Sequence, residues 1–144
     1  MNGGAFSSST ISPKLLALFL AFLLAGCRSN EAHIHLAAQA LRPCGSDAVT
    51  ALSIDATTPP ADSYIIRWEG SGQPPPEFNF RAPVPGFTFT ADGVTALAPA
   101  QFKLRPNTAY QIRHTTQGDA GPAILRIETD GTGAIRSSSK TSCK

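Results

Sequence analysis

Tyr64-Ile65-Ile66-Arg67-Trp68 is the stretch whose period decides the fold. In an extended chain successive side chains point to opposite faces, so Tyr64, Ile66 and Trp68 share one face and Ile65 and Arg67 the other. Phe78 and Phe80, Phe87 and Phe89, and Tyr110 and Ile112 repeat that spacing. Between these runs stand Pro74-Pro75-Pro76 and Pro83-Val84-Pro85, which cannot donate ladder hydrogen bonds and therefore belong to connections and edges. The pattern predicts an all-β domain over residues 44–144, with strands near 49–54, 64–68, 78–81, 87–90, 102–104, 109–114, 124–129 and 134–138. Their apolar faces suffice for one core between two sheets, and Trp68 and Tyr110 are expected to pack in it. The proline-rich connection 74–85 offers two roles for Phe78 and Phe80, core packing or presentation to a partner, and core packing is the expectation.

Upstream of this domain the text is less decisive. From Arg28 to about Gln39 the composition reads as a short tether, although the alternation of Ala32-His33-Ile34-His35-Leu36 permits a strand and residues 37–41 permit a helical turn.

Further along the chain, Leu104-Arg105-Pro106-Asn107-Thr108-Ala109-Tyr110-Gln111-Ile112 resembles the L-x-P-x-T-x-Y-x-I segment of fibronectin type III modules. The tryptophan ending an early strand, Trp68, and the glycine-bearing turn at 117–121 extend that resemblance over residues 48–129. It implies an immunoglobulin-like antiparallel sandwich in which Tyr110 is a corner residue, its hydroxyl bonding back to upstream backbone. The chain departs from the family's pattern after Thr129. There Asp130-Gly131-Thr132-Gly133 makes a hairpin turn and an extra C-terminal strand follows.

The N-terminus carries a different signal. One lysine, Lys14, precedes an uninterrupted apolar run from Leu15 to Ala25. Eleven residues span roughly 16 Å as a helix, against a hydrocarbon core of about 30 Å, which is too short for a stable transmembrane helix. This is the layout of a signal peptide. The run ends in Leu24-Ala25-Gly26-Cys27, which resembles the bacterial lipobox. The resemblance implies cleavage after residue 26, diacylglycerol and further acyl chains on Cys27, a lipidated tether over 27–43 and the folded domain from 44. Two or more acyl chains give stable membrane anchoring without a span. With Arg28 rather than aspartate after the lipid cysteine, the sorting pattern implies the outer membrane, facing the periplasm.

Assigning Cys27 to the anchor leaves Cys44 and Cys143, in a chain addressed to an oxidising compartment, as a single possible disulfide. The extra strand would return the C-terminus to the pole where Cys44 precedes the first strand. The disulfide pole would then face the membrane, with partners at the far pole or the sides.

Few residues suggest chemistry. The chain carries 12 basic and 10 acidic side chains and no basic run, so no nucleic-acid partner is expected. His33-Ile34-His35 puts two imidazoles on one strand face, but two ligands are not a site and no metal or cofactor is expected. The elbow G-x-S-x-G is absent, Ser71 lies in a glycine loop, and the pairs Asp55/Asp62 and Glu128/Asp130 flank turns. The expectation is a non-enzymatic, membrane-anchored protein-interaction module, an envelope-assembly accessory or an inhibitor or immunity-type protein. The alternative is a lipoprotein that binds a small ligand or glycan.

Overall fold

The computed structural model describes residues 30–45, 47–116 and 121–144; the expected signal segment and Cys27 lie outside the described residues. Among these residues ten strands form: β1 (Ala32–His35), β2 (Ala40–Pro43), β3 (Ala51–Ala56), β4 (Ser63–Trp68), β5 (Phe78–Asn79), β6 (Phe87–Ala91), β7 (Thr95–Leu97), β8 (Ala109–Thr115), β9 (Ala123–Thr129) and β10 (Ile135–Ser138). The strand pairings are antiparallel. The order β10-β9-β8-β3-β4-β6-β7 makes a seven-stranded sheet, and β1-β2-β5 makes a three-stranded one. The chain is thus an all-β antiparallel sandwich, and the strand expected beyond Thr129 is present as β10 against β9.

Alternation builds the core. In β3, Leu52 and Ile54 turn inward; in β8, Tyr110, Ile112 and His114; in β9, Leu125, Ile127 and Thr129. Ile34 and Leu41 of the small sheet lie in the same buried cluster. Each fully buried Leu or Ile contributes about 1.5–3 kcal/mol relative to exposure. Phe78 sits at the centre of the aromatic part, edge-on to Phe80 at 5.2 Å and Phe87 at 5.1 Å, with Phe102 at 6.1 Å. Phe78 and Phe80 are therefore core residues, as expected.

Beyond shifts of one or two residues at strand ends, three assignments differ from the expected ones. Residues 30–43 are not a tether: β1 and β2 form a hairpin whose Ala32, Ile34, Ala40 and Leu41 are buried. The small sheet would lose two of its three strands without it, so the folded unit begins upstream of residue 44. Residues 102–104 form no strand; they follow a single turn of 3-10 helix at Pro99–Gln101 and still bury Phe102 and Leu104. The strand in that region is β7, paired to β6 through Phe89–Leu97 and Ala91–Thr95, where exposed Thr and Ala had offered no apolar period.

The C-terminal return is closed by hydrogen bonds and by sulfur. After β10 the Ser139 amide donates to Arg126 O (2.8 Å) and Lys140 O accepts from Ile34 N (2.9 Å), which carries the chain from the large sheet to β1. Cys143 then meets Cys44 in a disulfide with Cα atoms 5.7 Å apart.

Candidate functional site

The two ends of the β1–β2 hairpin define two poles. Cys44 and Cys143 mark one; the turn at Gln39 marks the other. Tyr110 lies toward the Gln39 pole, fully buried. Its phenol oxygen accepts from the Arg105 amide at 2.9 Å, five residues upstream, and its hydroxyl donates to Asp62 Oδ2 at 3.1 Å. Arg105 Nε donates to Asp62 Oδ1 at 2.8 Å, and its terminal nitrogen reaches Pro60 O. Tyr64 stands beside this cluster, and burial, then the Asp62 charge, push its hydroxyl up to about 12.

Arg105 also borders a groove of about 1010 Å³ at this pole. Phe80, Phe102 and Leu104 form its base, Ala82, Pro83, Pro99 and Pro106 its apolar walls, and Gln39, Arg81, Lys103, Thr132 and Gly133 its rim. Prolines fix the walls because their φ is locked and they have no amide to satisfy. Gly133 has φ +82, and a Cβ there would meet Leu104 O at 2.5 Å, so the β9–β10 turn can close on the groove only as glycine. Asp130 organises that turn by accepting from Thr132 N and Thr132 Oγ1, both at 2.7 Å. Those bonds hold its carboxyl below the usual carboxylate range. The groove has three cations and no carboxylate among the described residues that line it. Asp62 pairs with Arg105, and Arg81 hydrogen-bonds Thr132, whereas Lys103 has no carboxylate partner among the described residues.

At the opposite pole Trp68 is half-buried rather than central. Its ring packs edge-on to Phe87 at 5.2 Å, its Nε1 donates to Gly72 O at 3.2 Å, and Gly70 and Gly86 lie against its face. His33 and His35 project from the outer face of β1. His33 Nδ1 lies 3.1 Å from Cys143 Sγ and 3.9 Å from Cys44 Sγ. Burial, then the nearby Arg42 charge, lower the pKa of His33. His35 Nδ1 instead accepts from Ala38 N at 3.3 Å.

The carboxylates considered for catalysis are engaged in structure. Asp55 accepts from Ser53, Ser63 and Arg113, and Glu128 from Arg136 and Ser137. Sequence reasoning missed Gln39, Lys103 and Arg81 as groove residues, since no motif links them. The long connection 74–85, singled out for its prolines, was the available signal: its last part supplies one wall.

No protein-family model matches the chain, and no curated protein or solved structure matches it either.

Proposed function

We propose that this chain is a membrane-tethered, non-enzymatic interaction module of the bacterial envelope, which holds an acidic segment of a partner protein in the groove beside Tyr110. The observation that carries the reading is the pairing of proline-fixed apolar walls with a cationic, acid-free rim, a surface complementary to a short segment with apolar and carboxylate side chains. Lys103 and Arg81, neither in an ion pair among the described residues, are the charges left for such a partner. Position supports the reading too. The first described residues enter β1 at the disulfide pole, so lipid on Cys27 would leave the groove at the far end of the hairpin, pointing away from the bilayer. The exposed large apolar side chains among the described residues, Val84, Val94 and Ile124, include no aromatic, so no stacking platform for a glycan favours the alternative.

Two measurements test the reading in cells that make the native protein. A Cys27→Ser variant should leave the membrane fraction for the soluble one, whereas unchanged fractionation would remove the lipid anchor from the proposal. A photo-crosslinking side chain at position 103 should yield a discrete adduct that one at position 67, on the exposed side of β4, does not. A Lys103→Glu exchange in a chain crosslinking from position 82 should weaken the adduct by about tenfold, the effect of turning one attractive rim contact into a repulsive one, roughly 1.4 kcal/mol in total. Equal adducts from positions 103 and 67 would sink the groove assignment.

A further inference from the structure

The disulfide pole gathers a set of donors with metal-binding chemistry. His33 Nδ1, Cys44 Sγ and Cys143 Sγ all lie within 4.8 Å of one another. A tetrahedral zinc ion with Zn–S near 2.3 Å and Zn–N near 2.0 Å places a nitrogen about 3.5 Å from each sulfur and the sulfurs about 3.8 Å apart. The observed nitrogen–sulfur separations, 3.1 and 3.9 Å, already bracket the first value. Only the sulfurs, now bonded, must separate.

The chain allows that movement on one side. Cys44 closes β2, with its amide donating to Glu31 O at 2.6 Å, and is fixed by the hairpin. Cys143 lies in the exposed segment 141–144, beyond the last backbone bonds of Ser139 and Lys140. His33 needs no movement, because β1 holds it opposite Arg42 and the alternation of the strand turns its ring outward.

We propose that, once the Cys44–Cys143 bond is reduced, the two sulfurs and His33 Nδ1 form a site for one zinc ion, with water in the fourth position. The reductant is an external dithiol: it delivers two electrons to the S–S bond, leaves as a cyclic disulfide and yields two protein thiols. Zinc then replaces both thiol protons, so binding releases two protons per ion. The C-terminal segment is thereby held to the hairpin in either state, by a covalent bond when oxidised and by the metal when reduced. This inference does not depend on the groove or on the lipid.

The test uses the full chain, reduced with a phosphine and freed of excess reductant under argon, and titrated with zinc and separately with cobalt. Expected are one ion per chain, two protons released, tetrahedral cobalt absorption with sulfur charge-transfer bands, and a zinc-dependent rise in the melting temperature of the reduced protein alone. His33→Ala should weaken zinc binding by at least about tenfold, since even outer-shell partners of a ligand are worth that much. His35→Ala should leave it unchanged. Zinc binding to the oxidised chain as tight as to the reduced one, a reduced chain that neither binds zinc nor is stabilised by it, or equal affinity in His33→Ala would each overturn the proposal. If reduction unfolds the chain, zinc must restore the β circular-dichroism spectrum; failure to do so overturns it as well.

Discussion

His114 carries a ring nitrogen, Nε2, that has no hydrogen-bond partner among the described residues, while Nδ1 approaches Asn30 O at only 3.4 Å. The side chain is fully buried on the inward face of β8 with Tyr110 and Ile112. Burial lowers its pKa, and the carbonyls of Asn30 and Ala48 and the charge of Asp47 oppose that shift without reversing it. A histidine kept neutral in the fold takes up its proton more readily in the unfolded chain. Its contribution is therefore complete above the unfolded value of about 6.5 and is lost as pH falls below it, toward the folded pKa. Stability should decline on acidification from about pH 6.5 toward 5 by at most about 1.4 kcal/mol per pH unit from this group, before carboxylates titrate. His114→Leu should flatten that part of the urea-denaturation profile; an unchanged slope would assign the acid sensitivity elsewhere. The sequence showed Tyr110 and His114 on one face but weighted them unequally. Tyr110 came with a recognisable segment around it. His114 sits four residues further along the same period, and its polarity hid its inward position.

The β1–β2 hairpin is the element that the sequence left undecided, and the reason is local. Its strands have four residues each, two of their outward positions are histidines, and Ala37-Ala38 fits a helix as well as a turn. The turn residue is Gln39 at φ 53, where glycine or asparagine would have announced the reversal. What recommends glutamine there is its side chain. Oε1 accepts from Ile135 N at 2.6 Å, and Nε2 donates to Ile135 O at 2.9 Å and Leu36 O at 2.8 Å. The amide thus pairs with β10 as a strand residue would and latches the small sheet to the edge of the large one. Gln39→Ala keeps the same left-handed strain and removes the latch. It leaves the amide of buried Ile135 without its acceptor, so the expected loss is about 1–3 kcal/mol in urea denaturation. A loss under about 0.5 kcal/mol, the scatter of neutral surface exchanges, would mean that packing alone holds the hairpin.

At the scale of the whole molecule, the class of fold and the cysteine pair were legible, and the order of strands was not. Period-two faces locate strands without saying which strand each one joins. Here β3 lies between β4 and β8, a neighbourhood that nothing in the period of these strands specifies. The pairing of Cys44 with Cys143 was accessible from arithmetic because Cys27 had been set aside. Their separation of 99 residues means that the bond restrains nearly the entire described domain in the unfolded chain. In the chain-entropy view a loop of this length stabilises by about 4–5 kcal/mol, and measured losses on removal run from about 2 to 5. Replacing both cysteines by alanine should therefore lower the urea midpoint by an amount equivalent to about 2–5 kcal/mol. The same change should steepen the transition, because an unfolded chain released from a 99-residue loop expands and exposes more surface, which raises m. The two signs separate the mechanisms. A lower midpoint with constant m would place the bond's effect in the native state, where it ties the C-terminal segment to the hairpin. An unchanged midpoint would mean that the backbone bonds from Ser139 and to Lys140 already hold that segment unaided.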